Sequence, residues 1–177
     1  MIIHATRKLA ARIPDVSPAA LREDSPLGSW HADRLTIDRR QCVLFCHDET
    51  RAALFVPGLR KELFADLGAR SFRPLFSATL AALGCPPRQV AQAELALGPI
   101  RFDTATDRSV LSSMHILRQD LGGHIARVPN VLMLDPLAVA LDLCDRPTTV
   151  RGKWIRPDRL LLELVAMIST RHTGRLT

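Results

Sequence analysis

His4, Lys8, His31, Arg39 and Arg40 all fall within the first 40 residues, and together they could do chemistry. Histidine takes up and releases protons near neutral pH. Arginine and lysine hold phosphate oxygens and stabilise the charge that develops on them. Metal-independent cleavage of RNA needs little more. In this reading His31 and Lys8 are the catalytic residues. Arg39 and Arg40, with Trp30 and Arg34 beside them, form the nucleic-acid-binding surface. The competing reading is plain structure: Arg39 and Arg40 solvate a turn, Trp30 caps the core, and His31 is hydrogen-bonded to a neighbour. The catalytic reading needs the first strand to lie beside the segment "GSWHADRLTIDRRQCVLF" (28–45).

Other chemistries find less support. Cys42 and Cys46 share one strand face but lie too far apart to chelate easily, and His47 points the other way. Zinc asks for four ligands, usually in close pairs. No metal site and no cofactor are expected, and purified protein should carry less than one equivalent of zinc or iron. Asp33 and Asp38 fall on opposite strand faces. Asp48 and Glu49 read as a turn, and Asp103 and Asp107 flank a strand-to-helix junction where Asp is a common cap. Two short helices around Gly84 and Pro86–Pro87 imitate a helix-turn-helix, but the double proline stiffens the turn. No Gly-rich phosphate loop or serine-nucleophile motif is present.

The chain has 177 residues, 47% apolar and 24% charged, which suits one globular domain over 1–177. The formal net charge is +6, a balance that favours polyanions. Only Lys8, Lys61 and Lys153 are lysines among the 24 basic residues, so genome composition is a second explanation for the excess. No run is long and apolar enough for a membrane span, and the start lacks the pattern of a secretory signal. A cytoplasmic location and four free thiols are therefore expected.

These residues must be positioned by recognisable elements. "MIIHA" reads as a first strand, and Thr6 as the N-cap of a short helix. Residues 14–28 read as a loop. "HADRLTID", "CVLFC" and "RAALFV" read as three successive antiparallel strands joined by "RRQ" and "HDET", the last ended by Pro57–Gly58. Helices follow: one through Leu59, Leu63, Phe64 and Leu67, stopped by Gly68, then one from Pro74 to Gly84 and one from Pro87 to Gly98. "IRFDTA" reads as a further strand. The spacing of Val110, Met114, Leu117 and Leu121 predicts an amphipathic helix, and two more open at Pro136 and Pro157. The fold class is α+β, an N-terminal strand and an antiparallel three-stranded meander packed by C-terminal helices.

The segments "TRKL" (6–9), "WHADRL" (30–35), "IDRRQCVLF" (37–45), "ETRAALFVPGL" (49–59) and "DRSVLSSM" (107–114) together resemble an uncharacterised bacterial family known only as a domain of unknown function. Ser112 departs from that pattern, where glycine is expected. The resemblance spans most of the first 125 residues and implies no activity. From the residues themselves, nucleic acid, RNA or DNA, is the expected partner. The alternative is a non-catalytic module, an inhibitor or neutralising partner of another protein. No membrane association is expected.

Overall fold

The structure, a computed structural model, describes residues 1–150 and 152–173, with side chains through Thr170. The end of the single domain expected over 1–177 lies outside the described residues. The element order is β1 (Ile2–Ala5), α1 (Arg7–Ala10), β2 (Val16–Ser17), β3 (Trp30–Ile37), β4 (Arg40–His47) and β5 (Ala53–Leu59). There follow α2 (Arg73–Ala82), α3 (Pro87–Leu97), β6 (Arg101–Asp103), α4 (Arg108–Ile125), α5 (Pro136–Asp145), the pair β7 (Thr148–Val150) and β8 (Lys153–Ile155), and α6 (Pro157–Thr173). The class is α+β.

Six strands form one mixed sheet in the order β2-β6-β1-β3-β4-β5. The first strand lies at its centre, parallel to β3 on one side and β6 on the other, while β3, β4 and β5 run antiparallel. The first strand thus does lie beside the β3–β4 hairpin, as the catalytic reading required. Its neighbour β6 comes from about 100 residues further along the chain, so no local pattern announces the pairing.

Strand alternation sends side chains to two cores. One face carries Ile3, Trp30, Ala32, Val43, Phe45 and Leu54 against Phe72, Phe76 and Leu80. The other carries Leu35, Cys42, Leu44, Cys46 and Phe55 against α4 and α5. The stripe expected on α4 is buried in full: Val110, Met114, Leu117 and Leu121. Asp107 caps that helix by accepting from the backbone N–H groups of Ser109 and Val110. Asp135 caps α5 in the same way, with Pro136 at its first position. Helix α5 runs along β5, giving Ala140 and Cys144 to one core and Val139 and Leu143 to the other.

The β3–β4 hairpin turns on two residues, Asp38 and Arg39, both at positive φ (49° and 61°). This mirror-image turn matches the twist of the strands it joins. The Asp38 carboxylate accepts from the Val131 N–H at 2.8 Å and ties the tip to the segment before α5.

Several expectations are corrected. Pro57–Gly58 does not end β5, which runs on to Leu59; a bulge opposite Gln41–Val43 absorbs the proline on this outer strand. Leu59 therefore belongs to a strand. Gly68 does not stop a helix. It lies in a wide turn (Leu67–Phe72) leading directly into α2, and a Cβ there would meet Ile100 at 2.8 Å. Within the expected loop, Val16–Ser17 pairs with β6, and β7–β8 forms a hairpin that the sequence reading did not find. Thr6 precedes α1, but its hydroxyl makes no cap and donates instead to Asp33 at 2.6 Å.

Candidate acid–base site

The parallel registers set His4 beside both His31 and Asp103, all facing the α4 side of the sheet. Cys46 continues this row on β4, opposite His31. Asp48 follows two residues later and points the same way. Its backbone N–H bonds to the Ser29 carbonyl, which holds the carboxylate over His31.

Asp103 is fully buried and anchors the row. Its Oδ2 accepts from the Leu21 N–H at 2.8 Å. Its Oδ1 accepts from the Ala105 N–H at 3.1 Å and lies 2.5 Å from His4 Nδ1. A carboxylate satisfied by backbone donors is fixed, so it sets the ring of His4 and places the proton on Nδ1. This is how a buried Asp orients a catalytic imidazole. The remaining nitrogen, His4 Nε2, carries the lone pair and sits 3.8 Å from Asp48 Oδ2. That gap is too long for a direct hydrogen bond and suits a bridging hydroxyl or water.

His31 plays a different part. Its Nε2 accepts from the Asp107 N–H at 3.0 Å, and its Nδ1 is 2.7 Å from Asp48 Oδ1. Accepting at Nε2 puts the proton on Nδ1, so His31 is a neutral donor to Asp48 with both nitrogens occupied. The Ser29 hydroxyl donates to Asp48 Oδ2 at 2.9 Å. Burial alone would raise the Asp48 carboxyl. The hydrogen bonds from His31 and the Ser29 hydroxyl, with the imidazoles of His31 and His4 close by, outweigh it and hold the group below its ordinary value.

His4, His31 and Asp48 have ligand atoms within 4.8 Å of one another, a spacing that could hold a metal ion. The hydrogen bonds argue against it. His31 cannot keep accepting the Asp107 N–H at Nε2 and also offer a lone pair at Nδ1. Two ligands remain where zinc wants at least three. The four cysteines are all buried free thiols, and those of Cys46 and Cys144 are pushed up to about 12 by burial.

One pleat further along the same face, Thr6 and Asp33 open a cleft of about 400 Å³. Arg7 and Lys8 line it from α1, and Leu111, Met114, His115 and Arg118 from α4. Arg118 is paired with Asp33 at 3.3 Å. A larger hollow of about 510 Å³ lies at the β2–β6 edge, but no histidine lines it.

Residues 2–160 match a family model described as Domain of unknown function (DUF6933). The chain belongs to this family. No curated protein matches the chain. Three segments that carried the resemblance meet at the site: "TRKL" gives Thr6 and Lys8, "WHADRL" gives His31 and Asp33, and "DRSVLSSM" gives Asp107.

In this DUF6933 domain the constellation expected from sequence divides. His4 and His31 come together, with ring centroids 4.8 Å apart, and Lys8 lines the adjoining cleft. Arg39 and Arg40 do not join them. They sit at the hairpin tip, six residue steps along β3 from His31, or roughly 20 Å. Trp30 is not at a binding surface: it is 1% exposed and packs against His47, Phe72 and Phe76. Arg34 faces that same side, away from His31, and donates to Gln41 at 3.1 Å. Asp48 and Asp103 are the residues that sequence reading missed as site residues. One looked like a turn and the other like a helix cap.

Proposed function

We propose that this domain is an acid–base catalyst acting on a phosphate-bearing polyanion, RNA being the class to test first. What supports the reading is the Asp103–His4 pair, which holds an imidazole lone pair beside a cationic cleft. His4 Nε2 would take the proton from the attacking hydroxyl, which for RNA is the substrate's own 2′-hydroxyl; the 2′-oxygen would bond to phosphorus as the P–O5′ bond breaks, and the departing 5′-oxygen would take a proton from solvent water. Lys8, Arg7 and Arg118 would meet the phosphate charge in the cleft. His31 becomes a positioning residue that keeps Asp48 in place. Arg39 and Arg40 then serve at most as an outlying contact for a long strand. The net charge of +6 is consistent with such a partner.

The second reading is a non-catalytic protein-binding module. It is favoured by apolar side chains left outside, Trp154 at 78% exposure and Met133 at 66%. Binding to heterogeneous RNA, followed by fluorescence anisotropy across a salt series, separates the two. A polyanion binder weakens steeply as salt rises. Absence of binding at low salt would leave the protein-binding reading standing.

A further inference from the structure

Arg51 lies in the β4–β5 turn at φ 61° and is 5% exposed. Its Nη2 donates to the Ser109 hydroxyl at 2.9 Å, in the first turn of α4. Its Nε and Nη1 are buried and meet no acceptor among the described residues. Among the described residues no carboxylate lies within ion-pair distance of it. The nearby Cys46 thiol is no counter-ion, because burial keeps it protonated at neutral pH. Arginine cannot shed its own proton to escape the cost. Buried charges are paired in folded proteins, so this guanidinium lacks a charged partner among the described residues.

Arg51 lines a narrow cleft between α4 and α5 with Ser113, Arg146 and Thr148. Ile116 and Pro157 stand beside these polar groups. Arg146 brings a second guanidinium, already paired with Asp120. The open space is about 10 Å³, room for roughly one water. An oxyanion enters only if the cleft widens.

We propose that this cleft binds a small oxyanion group, phosphate or carboxylate, as the counter-charge of Arg51. The site shares no lining residue with the cleft lined by Lys8 and Arg118, and its test does not depend on any catalytic activity. Both oxyanions offer the same chemistry, charged oxygens accepting N–H donors. The measurement is thermal unfolding of the full chain in inorganic phosphate, acetate or chloride at matched ionic strength. Concentrations stay below roughly 10 mM, where excluded-solute stabilisation by phosphate is small. The expected result is a melting temperature that climbs with phosphate or acetate and not with chloride, following the saturation law of a native-state ligand. The stronger of the two anions identifies the class.

Arg51→Met should melt no lower than the parent in chloride, since a hydrophobe replaces an unpaired charge, and its anion response should vanish. If Arg51→Met does not fold, Arg146→Gln decides, with a response weakened several-fold. Equal melting in all three salts would overturn the proposal and assign the donors to a buried water. So would an anion response undiminished in Arg51→Met, or in Arg146→Gln.

Discussion

The α4 side of the sheet has two halves that differ in kind. Under β4 and β5, Leu44 and Phe55 interlock with Val110, Met114 and Leu143. Under β6, β1 and β3, the same face presents Asp103, His4, His31 and Asp33. The two halves share one sheet, and both reach full burial, at Leu44 and at Asp103. Hydrocarbon in both would serve stability at least as well, because a buried ionic array rarely beats apolar residues of equal volume. The apolar half therefore explains why the domain folds. The polar half is what folding alone does not explain, and the proposed chemistry is placed there.

The comparison can be broken from either side. The largest loss of stability is expected in the apolar half: Phe55→Ala should cost about 3–5 kcal/mol in chemical denaturation, through lost transfer energy and a cavity. In the polar half, Asp103→Asn should cost less, about 1–3 kcal/mol, since the amide cannot accept as the carboxylate does. It should nevertheless abolish most catalysis by releasing the His4 ring. An Asp103→Asn protein that melts lower yet retains full activity would reduce Asp103 to a structural carboxylate.

Acid should act on both sides of β3, and the signs agree. His47 is neutral: its Nε2–H donates to the Leu27 carbonyl at 2.7 Å, and its Nδ1 accepts from the Thr50 N–H at 3.1 Å. Burial lowers its basicity, against the pull of the Leu27 carbonyl. A depressed folded value means stability that is present above the unfolded value of 6.5 and is lost as pH falls below it. Asp48 is also depressed, so its contribution is present above 3.8 and is lost at more acid pH. Melting temperature should fall in two stages as pH drops from 8 to 3. Replacing His47 with Gln should flatten the upper stage, and an unchanged upper stage would remove His47 from this role.

The smallest effect is expected at the hairpin tip. Arg39→Ala with Arg40→Ala should change stability within about 0.5 kcal/mol, as exposed turn substitutions usually do. Because the tip is roughly 20 Å from His31, the cleavage rate should hold while the salt slope of RNA binding falls slightly. A rate loss as large as that from Lys8→Ala would place the working surface at the tip after all.

Much of the fold was legible because its signals are local. Alternation set Leu35 against Arg34, a four-three-four spacing set the buried stripe of α4, and Asp–Pro opened α5. Alternation also carried information that went unused: Trp30 and Arg34, one and three places from His31, must face the other way. His4 and His31 were legible as residue types, and Lys8 by its place after the first strand. Asp103 was not, because its role comes from a parallel pairing across 99 positions. Asp48 was hidden similarly: nothing in "HDET" shows that the Ser29 carbonyl will hold the carboxylate against His31.

The most direct test is His4→Asn, assayed on a fluorogenic RNA beside the parent protein. Asparagine can keep a donor toward Asp103 near the place of Nδ1 while removing the proton-accepting Nε2, so melting temperature should stay close to the parent's. Cleavage should fall on the order of 10²-fold or more, as for loss of a general base, with RNA affinity nearly unchanged. Equal cleavage by the two proteins, or none by the parent, would contradict the assignment of acid–base chemistry to the polar half of the sheet.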